Sequence, residues 1–249
     1  MKIVTSTLLS TFPNVISAFT TREGGVSRTP YSSANLAFHV GDNPMDVIAN
    51  HDILASLVGY NRHSLIHMRQ IHSDTIVIVD ENIRFDTPPE CDALITDKPN
   101  IPLMVMSADC TPILLYDPNK QVIGVVHAGR AGALNKILVK TIQKMINTYD
   151  STHKDIHIIL GPSIHGCCYE INEAIAIECE VQGYTSALRK EDKKLFLDVN
   201  TILLEQLKAL KIENFEVIDH CTSCQNNTYF SYRADKKVTG RIAGVIMLR

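Results

Sequence analysis

The chain has 249 residues, of which 45% are apolar, and this composition supports a large buried core. Lys and Arg total 24 against 27 Asp and Glu, for a net charge of −3, and no basic run offers the positive surface that binding nucleic acid through its phosphates requires. No Pro-, Gly- or Ser-rich linker divides the sequence, so we predict one domain over residues 1–249.

The N-terminal segment does not have the pattern of a signal peptide. MKIVTSTLLSTFPNV contains one Lys and a short apolar run that Thr and Ser interrupt. No stretch reaches the ~20 apolar residues that a membrane span needs. We therefore predict a cytoplasmic protein whose seven cysteines are reduced thiols, some of which bind metal.

The first predicted element is a helix over residues 45–58, because Pro44 stands at its first turn and Gly59 ends it. Short apolar or β-branched runs then predict strands at 75–79, 102–106, 112–116 and 122–126. Apolar residues at helical spacing predict a second helix over 131–149, and a strand at 156–160 follows. Asp198 or Asn200 caps a third helix over 201–210, before strands at 215–218 and 242–248.

This order of elements predicts the fold class. Strands and helices are mixed but do not alternate strictly, which favours an α+β fold with mixed sheets over a doubly wound fold. No G-x-G-x-x-G follows a predicted strand and no P-loop is present, which argues against the nucleotide-cofactor folds.

Three residues at the ends of predicted strands are candidates for a metal site. Cys110 lies in a break between two strands, and His127 ends a strand beside Gly129. Zinc binds thiolate sulfur and imidazole nitrogen, and a catalytic zinc has three protein ligands and one open position. His72, just before the strand at 75–79, is the best third ligand. The alternative is that Cys110 and His127 are simply buried in the core.

A second group of cysteines competes as a metal site. Cys221 and Cys224 form a C-x-x-C pair, and the adjacent Cys167 and Cys168 would complete a set of four sulfurs. A single C-x-x-C is a weak signal, and structural thiols are the alternative interpretation.

Candidate anion-binding groups occur near both ends of the chain. Arg22, Gly24 and Gly25 form a turn whose backbone N–H groups could converge on an oxyanion, although a simple surface turn fits the same pattern. Arg233 and Arg241 stand near the C-terminus, and their planar guanidinium groups suit phosphate or carboxylate.

Several motifs in one order resemble a known family. They are Phe19-Thr-Thr-Arg-Glu-Gly-Gly-Val-Ser27, Asn35-Leu36, Val40-Gly41-Asp42, Gln70-Ile71-His72, Cys91-Asp92-Ala93, Ala108-Asp109-Cys110-Thr-Pro112, His127-Ala128-Gly129, Gly161-Pro162, Cys168-Tyr169-Glu170, Phe230-Ser231-Tyr232-Arg233 and Thr239-Gly240-Arg241. Over nearly its whole length the chain resembles the YfiH-like family, also described as laccase-domain or multicopper polyphenol oxidoreductases. Members are described as purine nucleoside phosphorylases with adenosine deaminase activity, and some as peptidoglycan editing factors.

The resemblance implies a single YfiH-like catalytic domain of packed mixed β-sheets flanked by helices. It also implies a His-Cys-His metal set that falls on His72, Cys110 and His127, with zinc or copper as the ion. One position departs from the family pattern. The family usually has His-Ala-Gly-Trp-Arg-Gly, whereas this chain has His127-Ala-Gly-Arg130-Ala131-Gly132, so Arg130 would have to reach the substrate from the neighbouring position.

The implied substrates are adenosine, inosine or methylthioadenosine together with phosphate. For deamination, a zinc-bound water of pKa ~7 would attack purine C6, with Asp109 as the acid/base partner. For phosphorolysis, Arg22 and the amides of Gly24 and Gly25 would hold phosphate. The sugar hydroxyls would contact three polar side chains, those of Asn35, Asp42 and Gln70.

Two other functions remain open. In a cysteine hydrolase or amidase for cell-wall peptides, Cys110 would be the nucleophile, His127 the base, and Asp109 or Gln70 an orienting group. The second open function is a purine-binding protein that does not convert its ligand. Four-electron oxidase chemistry is disfavoured, because no two of the ten histidines are separated by a single residue. We expect a monomer or small homo-oligomer that acts on small molecules, without nucleic acid or membrane.

Overall fold

The computed structural model describes residues 1–80 and 82–249. In these residues the strands are β1 Ile3–Val4, β2 Val15–Thr20, β3 Ile76–Ile78, β4 Ala93–Thr96, β5 Leu103–Ser107, β6 Thr111–Asp117, β7 Val122–Ala128, β8 His157–Leu160, β9 Glu170–Ile171, β10 Leu188–Glu191, β11 Lys194–Leu197, β12 Phe215–Val217 and β13 Ile242–Leu248. The α-helices are α1 Pro44–Val58, α2 Arg130–Leu134, α3 Ile137–Tyr149, α4 Glu173–Val181 and α5 Val199–Ala209. The predicted α+β class is confirmed.

Two of the three predicted helices are confirmed together with their end signals. At α1 the Asn43 side chain accepts a hydrogen bond from the Met45 N–H, and Gly59 ends the helix with a left-handed φ of 89° that glycine adopts without cost. At α5 the Asp198 side chain accepts from the Thr201 N–H, so Asp198 rather than Asn200 is the cap.

The single helix predicted over residues 131–149 is wrong. The chain forms two helices there, α2 and α3, because Lys136 takes a left-handed φ of 60° between them. The Gln206 side chain of α5 donates a hydrogen bond to the Ala133 carbonyl at this break. A tertiary contact from a distant helix thus accompanies the end of α2, although the apolar periodicity continues through it.

The strands form two large sheets and one small sheet. The first large sheet has the order β1-β2-β13-β5 and is antiparallel throughout. The second has the order β12-β8-β6-β7-β4-β3, in which β12 with β8 and β4 with β3 are parallel and the central pairs are antiparallel. The small antiparallel sheet has the order β10-β11-β9. The expectation of mixed, packed sheets is therefore confirmed.

The two large sheets pack face to face, and helices cover their outer faces. Along β6, Ile113 and Leu115 point toward the core formed with α2, α3 and α5, while Leu114 and Tyr116 point toward the other sheet. The first sheet packs its outer face against α1 through a separate cluster that includes Leu54. Because β6 is buried on both faces, its sequence reads as one apolar run instead of an alternation. No helix in the described part of the chain has the length and apolar character for crossing a bilayer.

A buried histidine of α1 makes the stability of the fold depend on pH. His51 is 1% exposed, and its Nε2 lies 2.9 Å from the Leu36 carbonyl oxygen. Burial lowers the pKa of His51 from 6.5 to about 4. Its Nδ1 has no hydrogen-bond partner among the described residues, so a second proton there would have no acceptor.

We expect the free energy of unfolding to fall as the pH is lowered from about 6.5 to about 4, because the unfolded chain protonates His51 first. The contribution of neutral His51 to the free energy of unfolding is fully present above pH 6.5. By about pH 4 its loss is on the order of 3 kcal/mol. Denaturant unfolding at pH 7 and pH 4 measures it. A His51→Gln variant should flatten the profile, whereas His63→Gln, on the exposed surface, should leave it unchanged. Equal pH dependence in wild type and His51→Gln would contradict the assignment.

Candidate functional site

The three predicted metal ligands meet at one edge of the six-stranded sheet. Cys110 directly precedes β6, and His127 lies near the end of β7, opposite Pro112 in the antiparallel register. His72 lies in the loop before β3, at the same edge. The sheet register therefore brings together three residues that are well separated in the sequence.

The geometry of this cluster fits a metal ion. The Cys110 Sγ and the His72 Nε2 are 3.9 Å apart, and the candidate ligand atoms of His72, Cys110 and His127 all lie within 4.8 Å of one another. The two imidazole rings are edge to face, with centroids 4.9 Å apart. A Cβ placed on Gly129 would lie 2.9 Å from the Cys110 Sγ, so glycine is required beside the cluster. One sulfur and two nitrogens are a donor set that zinc and copper both accept.

A buried carboxylate orients the cluster, and the sequence analysis assigned it no role. Asp92 is 0% exposed and accepts a hydrogen bond from His127 Nδ1 at 2.8 Å. It also accepts the backbone N–H groups of Ile71, His72 and Ser73. Asp92 thus fixes the His127 ring with Nε2 facing the cluster and holds the loop that carries His72, which is the role of an outer-shell carboxylate at metal-binding histidines.

The charges within the cluster shift the pKa of two groups strongly. Burial raises the pKa of the Cys110 thiol, but the charge and hydrogen bonds of His127 and His72 outweigh it and hold the pKa at about 6. Burial lowers the pKa of His127, but the Cys110 sulfur and the Asp92 carboxylate raise it to about 9. The sulfur is therefore a thiolate near neutral pH, the form that binds metal or acts as a nucleophile.

Two residues at the site adopt unusual backbone conformations. His72 has a φ of 59° and Asp109 a φ of 101°, in the left-handed region that favours glycine. The Asp109 carboxylate accepts hydrogen bonds from the Thr222 hydroxyl and the Arg233 N–H, each at 2.7 Å. Such conformations persist where surrounding contacts impose them, as they often do at functional sites.

A cavity of ≈ 550 Å³ opens beside the cluster, a size typical of small-molecule sites. It includes all three candidate ligands, and Asp109 and Gln70 also line it. Its other lining residues are His39, Met106, Ser107, Ala108, Gly129, Arg130, Ile164, Tyr169, Val199, Tyr232, Arg233 and Arg241. Apolar and aromatic side chains thus line the cavity together with three arginines.

Two of the predicted substrate contacts reach this cavity, and both already have protein partners. Gln70 bridges to the Met106 backbone, donating to its carbonyl at 2.8 Å and accepting its N–H at 2.9 Å. Arg130 forms an ion pair with Glu178. Gln70 therefore fixes the cavity wall, and Arg130 is a cation held at the cavity rim by an acidic partner.

The predicted phosphate cradle lies outside the cavity lining. Arg22 donates to the carbonyls of Ser32 and Asn226, and its guanidinium lies 4.6 Å from the Phe230 ring centroid. The Gly25 N–H donates to the Ser33 hydroxyl at 3.0 Å. A Cβ on Gly24 would collide with the backbone of Met1. Arg22 and the Gly25 N–H thus have partners within the protein, some of them from residues 226–235, and an anion site at this turn stays a prediction.

The predicted sugar contacts Asn35 and Asp42 are also outside the cavity lining. Asn35 is fully buried and donates to Asp42 at 2.9 Å, and its Oδ1 accepts the backbone N–H of Arg241 at 2.9 Å. Asn35 therefore positions Arg241, which does line the cavity. The amide of Asn35 is engaged by Asp42 and by the backbone of Ala37 and Arg241, so these partners hold it away from the cavity.

Comparison with known proteins gives a consistent result. Residues 16–249 match the sequence profile of the family described as multi-copper polyphenol oxidoreductase laccase. A Corynebacterium glutamicum protein named purine nucleoside phosphorylase is 40% identical over 231 residues, covering 92% of this chain and 93% of that protein. The Bacillus subtilis purine nucleoside phosphorylase YlmD is 29% identical over 94% of this chain and 89% of its own length.

Two crystal structures share the fold. The Bacillus licheniformis hypothetical protein YfiH superposes with a TM-score of 0.90 at 31% identity, over 94% of this chain and 93% of that one. YlmD from Geobacillus stearothermophilus also gives a TM-score of 0.90, at 28% identity, over 96% and 93% of the two chains. From the profile match and these relatives, we conclude that this chain belongs to the multi-copper polyphenol oxidoreductase laccase family, the family of YfiH and YlmD.

Proposed function

We propose that this chain is a metal-dependent purine nucleoside enzyme, which catalyses phosphorolysis of adenosine, inosine or methylthioadenosine and also deaminates adenosine. The observation that carries the proposal is the His72, Cys110 and His127 cluster, which opens into a cavity of nucleoside size. The names of the relatives support the substrate class. Residues 1–249 would act as one catalytic domain, since strands from both ends of the chain, β2 and β13, pair in one sheet.

A zinc ion, or copper, held by His72, Cys110 and His127 would supply Lewis-acid chemistry and activate water near neutral pH. The chain's own part is to hold these donors in place. Asp92 keeps a proton on His127 Nδ1, so that Nε2 is free to coordinate. Gly129 leaves the space that the sulfur occupies.

The purine base would bind against the apolar wall of the cavity. Met106, Ile164 and Val199 supply contact area, and Tyr169 and Tyr232 supply aromatic faces for stacking. Enclosure by these side chains would exclude water from the glycosidic bond, which favours attack by phosphate over hydrolysis.

We also propose that Asp109 transfers the proton, as the sequence predicts, and the contacts of its carboxylate make this role more specific. Asp109 lines the cavity next to Cys110, and the Thr222 hydroxyl and the Arg233 backbone N–H each donate to one oxygen of its carboxylate. These two hydrogen bonds hold the carboxylate in place beside the cluster. Asp109 would therefore accept a proton from the attacking group and return it to the leaving amine.

For phosphate we propose Arg241 in place of Arg22. Arg241 uses Nη1 to bond the carbonyls of Thr239 and Gly240, so its Nε and Nη2 groups still offer N–H donors to an anion. It is partly buried, and the Asn35 side chain fixes its backbone. His39 also lines the cavity, near enough for the charge of Arg241 to act on it, and would be a second donor.

We expect Arg241→Gln to raise the KM for phosphate at least about tenfold, or about 1.4 kcal/mol, because one charge-assisted donor fork is lost. Deamination, which needs no phosphate, should change little. Steady-state assays at varied phosphate measure both. Arg22→Gln is the matched control: it should lower the free energy of unfolding by about 1–3 kcal/mol while leaving the KM for phosphate unchanged. A KM for phosphate that rises in Arg22→Gln but not in Arg241→Gln would instead support the predicted phosphate site at Arg22.

The reaction class itself is tested by product analysis. Purified protein is incubated with inosine or adenosine, with and without phosphate, and the products are separated. Base released only when phosphate is present supports phosphorolysis, and inosine formed from adenosine without phosphate supports deamination. Base release that is independent of phosphate would instead indicate a nucleoside hydrolase.

A cysteine hydrolase or amidase is the second candidate, and one observation favours it. Cys110, His127 and Asp92 form a chain of contacts in which the carboxylate orients the imidazole and the imidazole faces the sulfur. This is the arrangement of an activated cysteine nucleophile. Asp92 takes the orienting place that the sequence analysis gave to Asp109 or Gln70. Turnover of an amide substrate that survives removal of metal would support this function.

Three further properties belong to the proposal. The enzyme would act in the cytoplasm, as a monomer or small homo-oligomer, on small molecules and not on nucleic acid or membranes. If the Arg130 position impairs turnover, the chain would bind purines without product formation, which the product analysis distinguishes. Oxidase activity would be weak, since no further histidine joins the His72, Cys110 and His127 cluster in the described part of the chain.

A further inference from the structure

Four cysteines outside the cavity converge on one point. Cys167 and Cys168 lie in the segment after β8, and Cys221 and Cys224 lie in the segment after β12. Because β8 and β12 are parallel neighbours, both segments leave the same edge of the sheet. An isolated parallel β-bridge between Ser163 and Cys221, made by backbone hydrogen bonds, holds the two segments side by side.

The distances between these sulfurs match a shared ion. The Cys167 Sγ lies 3.7 Å from that of Cys168, 3.6 Å from that of Cys221 and 3.5 Å from that of Cys224. The Cys168 and Cys224 sulfurs are 3.3 Å apart, and all four lie within 4.8 Å of one another. A tetrahedral zinc with Zn–S bonds of about 2.3 Å separates its sulfurs by about 3.8 Å, so small side-chain adjustments suffice.

We propose that Cys167, Cys168, Cys221 and Cys224 bind a structural zinc ion as a closed four-thiolate site. Soft thiolate sulfur selects zinc among the divalent cations common in cells, and four protein sulfurs leave no open position for substrate. The site is separate from the His72, Cys110 and His127 cluster and needs a second ion.

The surroundings of the sulfurs favour a metal over a disulfide. All four cysteines are free thiols, and the Cys167 sulfur touches three others, whereas a disulfide joins only two at about 2.05 Å. Cys221 is buried, at 6% exposed, so its sulfur needs a partner within the protein, and the other three sulfurs with a shared ion would supply it.

The ion would fasten a segment that lines the cavity to a segment that contacts Asp109. Tyr169, next to Cys168, lines the cavity. Thr222, next to Cys221, donates to the Asp109 carboxylate at 2.7 Å and gives its backbone N–H to the Ser163 carbonyl. Zinc at the four sulfurs would therefore position Asp109 through Thr222, without contact with substrate.

Metal counting on reduced, full-length protein tests the site. We expect about two zinc ions per chain in the wild type and about one in Cys110→Ser, which keeps only the four-sulfur site. Cys224→Ser should likewise retain about one, and the double variant should retain none. A wild type with one zinc that Cys110→Ser removes completely would overturn the proposal.

X-ray absorption at the zinc edge gives a test that does not depend on folding of the Cys224 variant. In Cys110→Ser protein, we expect only sulfur neighbours at about 2.3 Å from zinc. Nitrogen or oxygen neighbours at about 2.0–2.1 Å would overturn the site. Thiol titration of Cys110→Ser protein should show four additional reactive thiols per chain after chelation. A disulfide among these four cysteines in the protein as isolated, found by mass spectrometry, would also overturn the site.

Discussion

Replacing Cys110 with alanine should remove metal from the cavity site and lower kcat/KM for adenosine and inosine on the order of 10³-fold, or about 4 kcal/mol. The expectation follows from the geometry, because Cys110 supplies the one sulfur of the cluster and its Sγ lies 3.9 Å from the His72 Nε2. Two imidazoles alone make a weak and poorly oriented site. Initial rates and metal content on the same sample measure the effect.

The control for this variant is another cysteine that lies outside both sulfur clusters. Cys179 of α4 is buried in the core, and Cys179→Ala should change activity and metal content little while lowering stability slightly. Full activity toward both nucleosides in Cys110→Ala would contradict the assignment of Cys110 to the reaction.

Replacing Asp92 with asparagine should weaken metal binding at the cavity by about 10–100-fold, as expected when an outer-shell carboxylate is lost. The amide lacks the negative charge that stabilises the His127 ring, and its NH2 group would face backbone donors of the segment from Ile71 to Ser73. Because Asp92 is completely buried, stability should also fall by about 1–3 kcal/mol. Competition with a chromophoric chelator gives the metal affinity.

Asp74 provides the matched control, since it lies two residues beyond His72 in the same loop but forms a surface ion pair with Lys140. Asp74→Asn should leave metal affinity unchanged and alter stability by less than about 1 kcal/mol. Equal metal affinity in Asp92→Asn and wild type would show that the carboxylate does not orient the ligands.

The parts of the fold that short-range patterns determine were predictable. The apolar runs of β6 and β7 predict strands without knowledge of the neighbouring strands. The ends of α1 depend only on Asn43, Pro44 and Gly59. The break between α2 and α3 was not predictable, because Lys136 is not a typical turn residue and the apolar spacing continues across it. The small sheet β10-β11-β9 was also missed, since its strands are short and largely exposed.

The candidate site likewise contains residues that local sequence patterns identify and one residue whose role depends on the pairing of distant strands. His72, Cys110 and His127 each stand at a strand end beside turn residues, and that local signal is enough to select them. The role of Asp92 depends on the pairing of β4 with β7, which joins the His127 N–H to the Asp92 carbonyl. The only sequence signal is a carboxylate at the start of the apolar run Cys91-Asp92-Ala93-Leu94, where burial demands a partner.

Arg22 and Arg241 show why sequence patterns alone do not rank the candidates for the proposed phosphate contact. Arg22 stands in a Gly-rich turn, yet Asp235 and the Asn226 carbonyl, both from the far end of the chain, engage its guanidinium. Arg241 has no such motif, and it reaches the cavity because Asn35 holds its backbone. Both arrangements depend on contacts between the two ends of the chain, which composition and periodicity do not encode.

The central claim, that the His72, Cys110 and His127 site is a metal centre for nucleoside chemistry, is tested most directly by one paired assay. Purified protein is incubated with adenosine and phosphate as isolated, after chelation, and after zinc is restored, and the products are separated. We predict adenine or inosine from the first and third samples and on the order of 10³-fold less from the second. Undiminished turnover in the chelated protein would contradict the metal centre and favour Cys110 as a nucleophile oriented by His127 and Asp92.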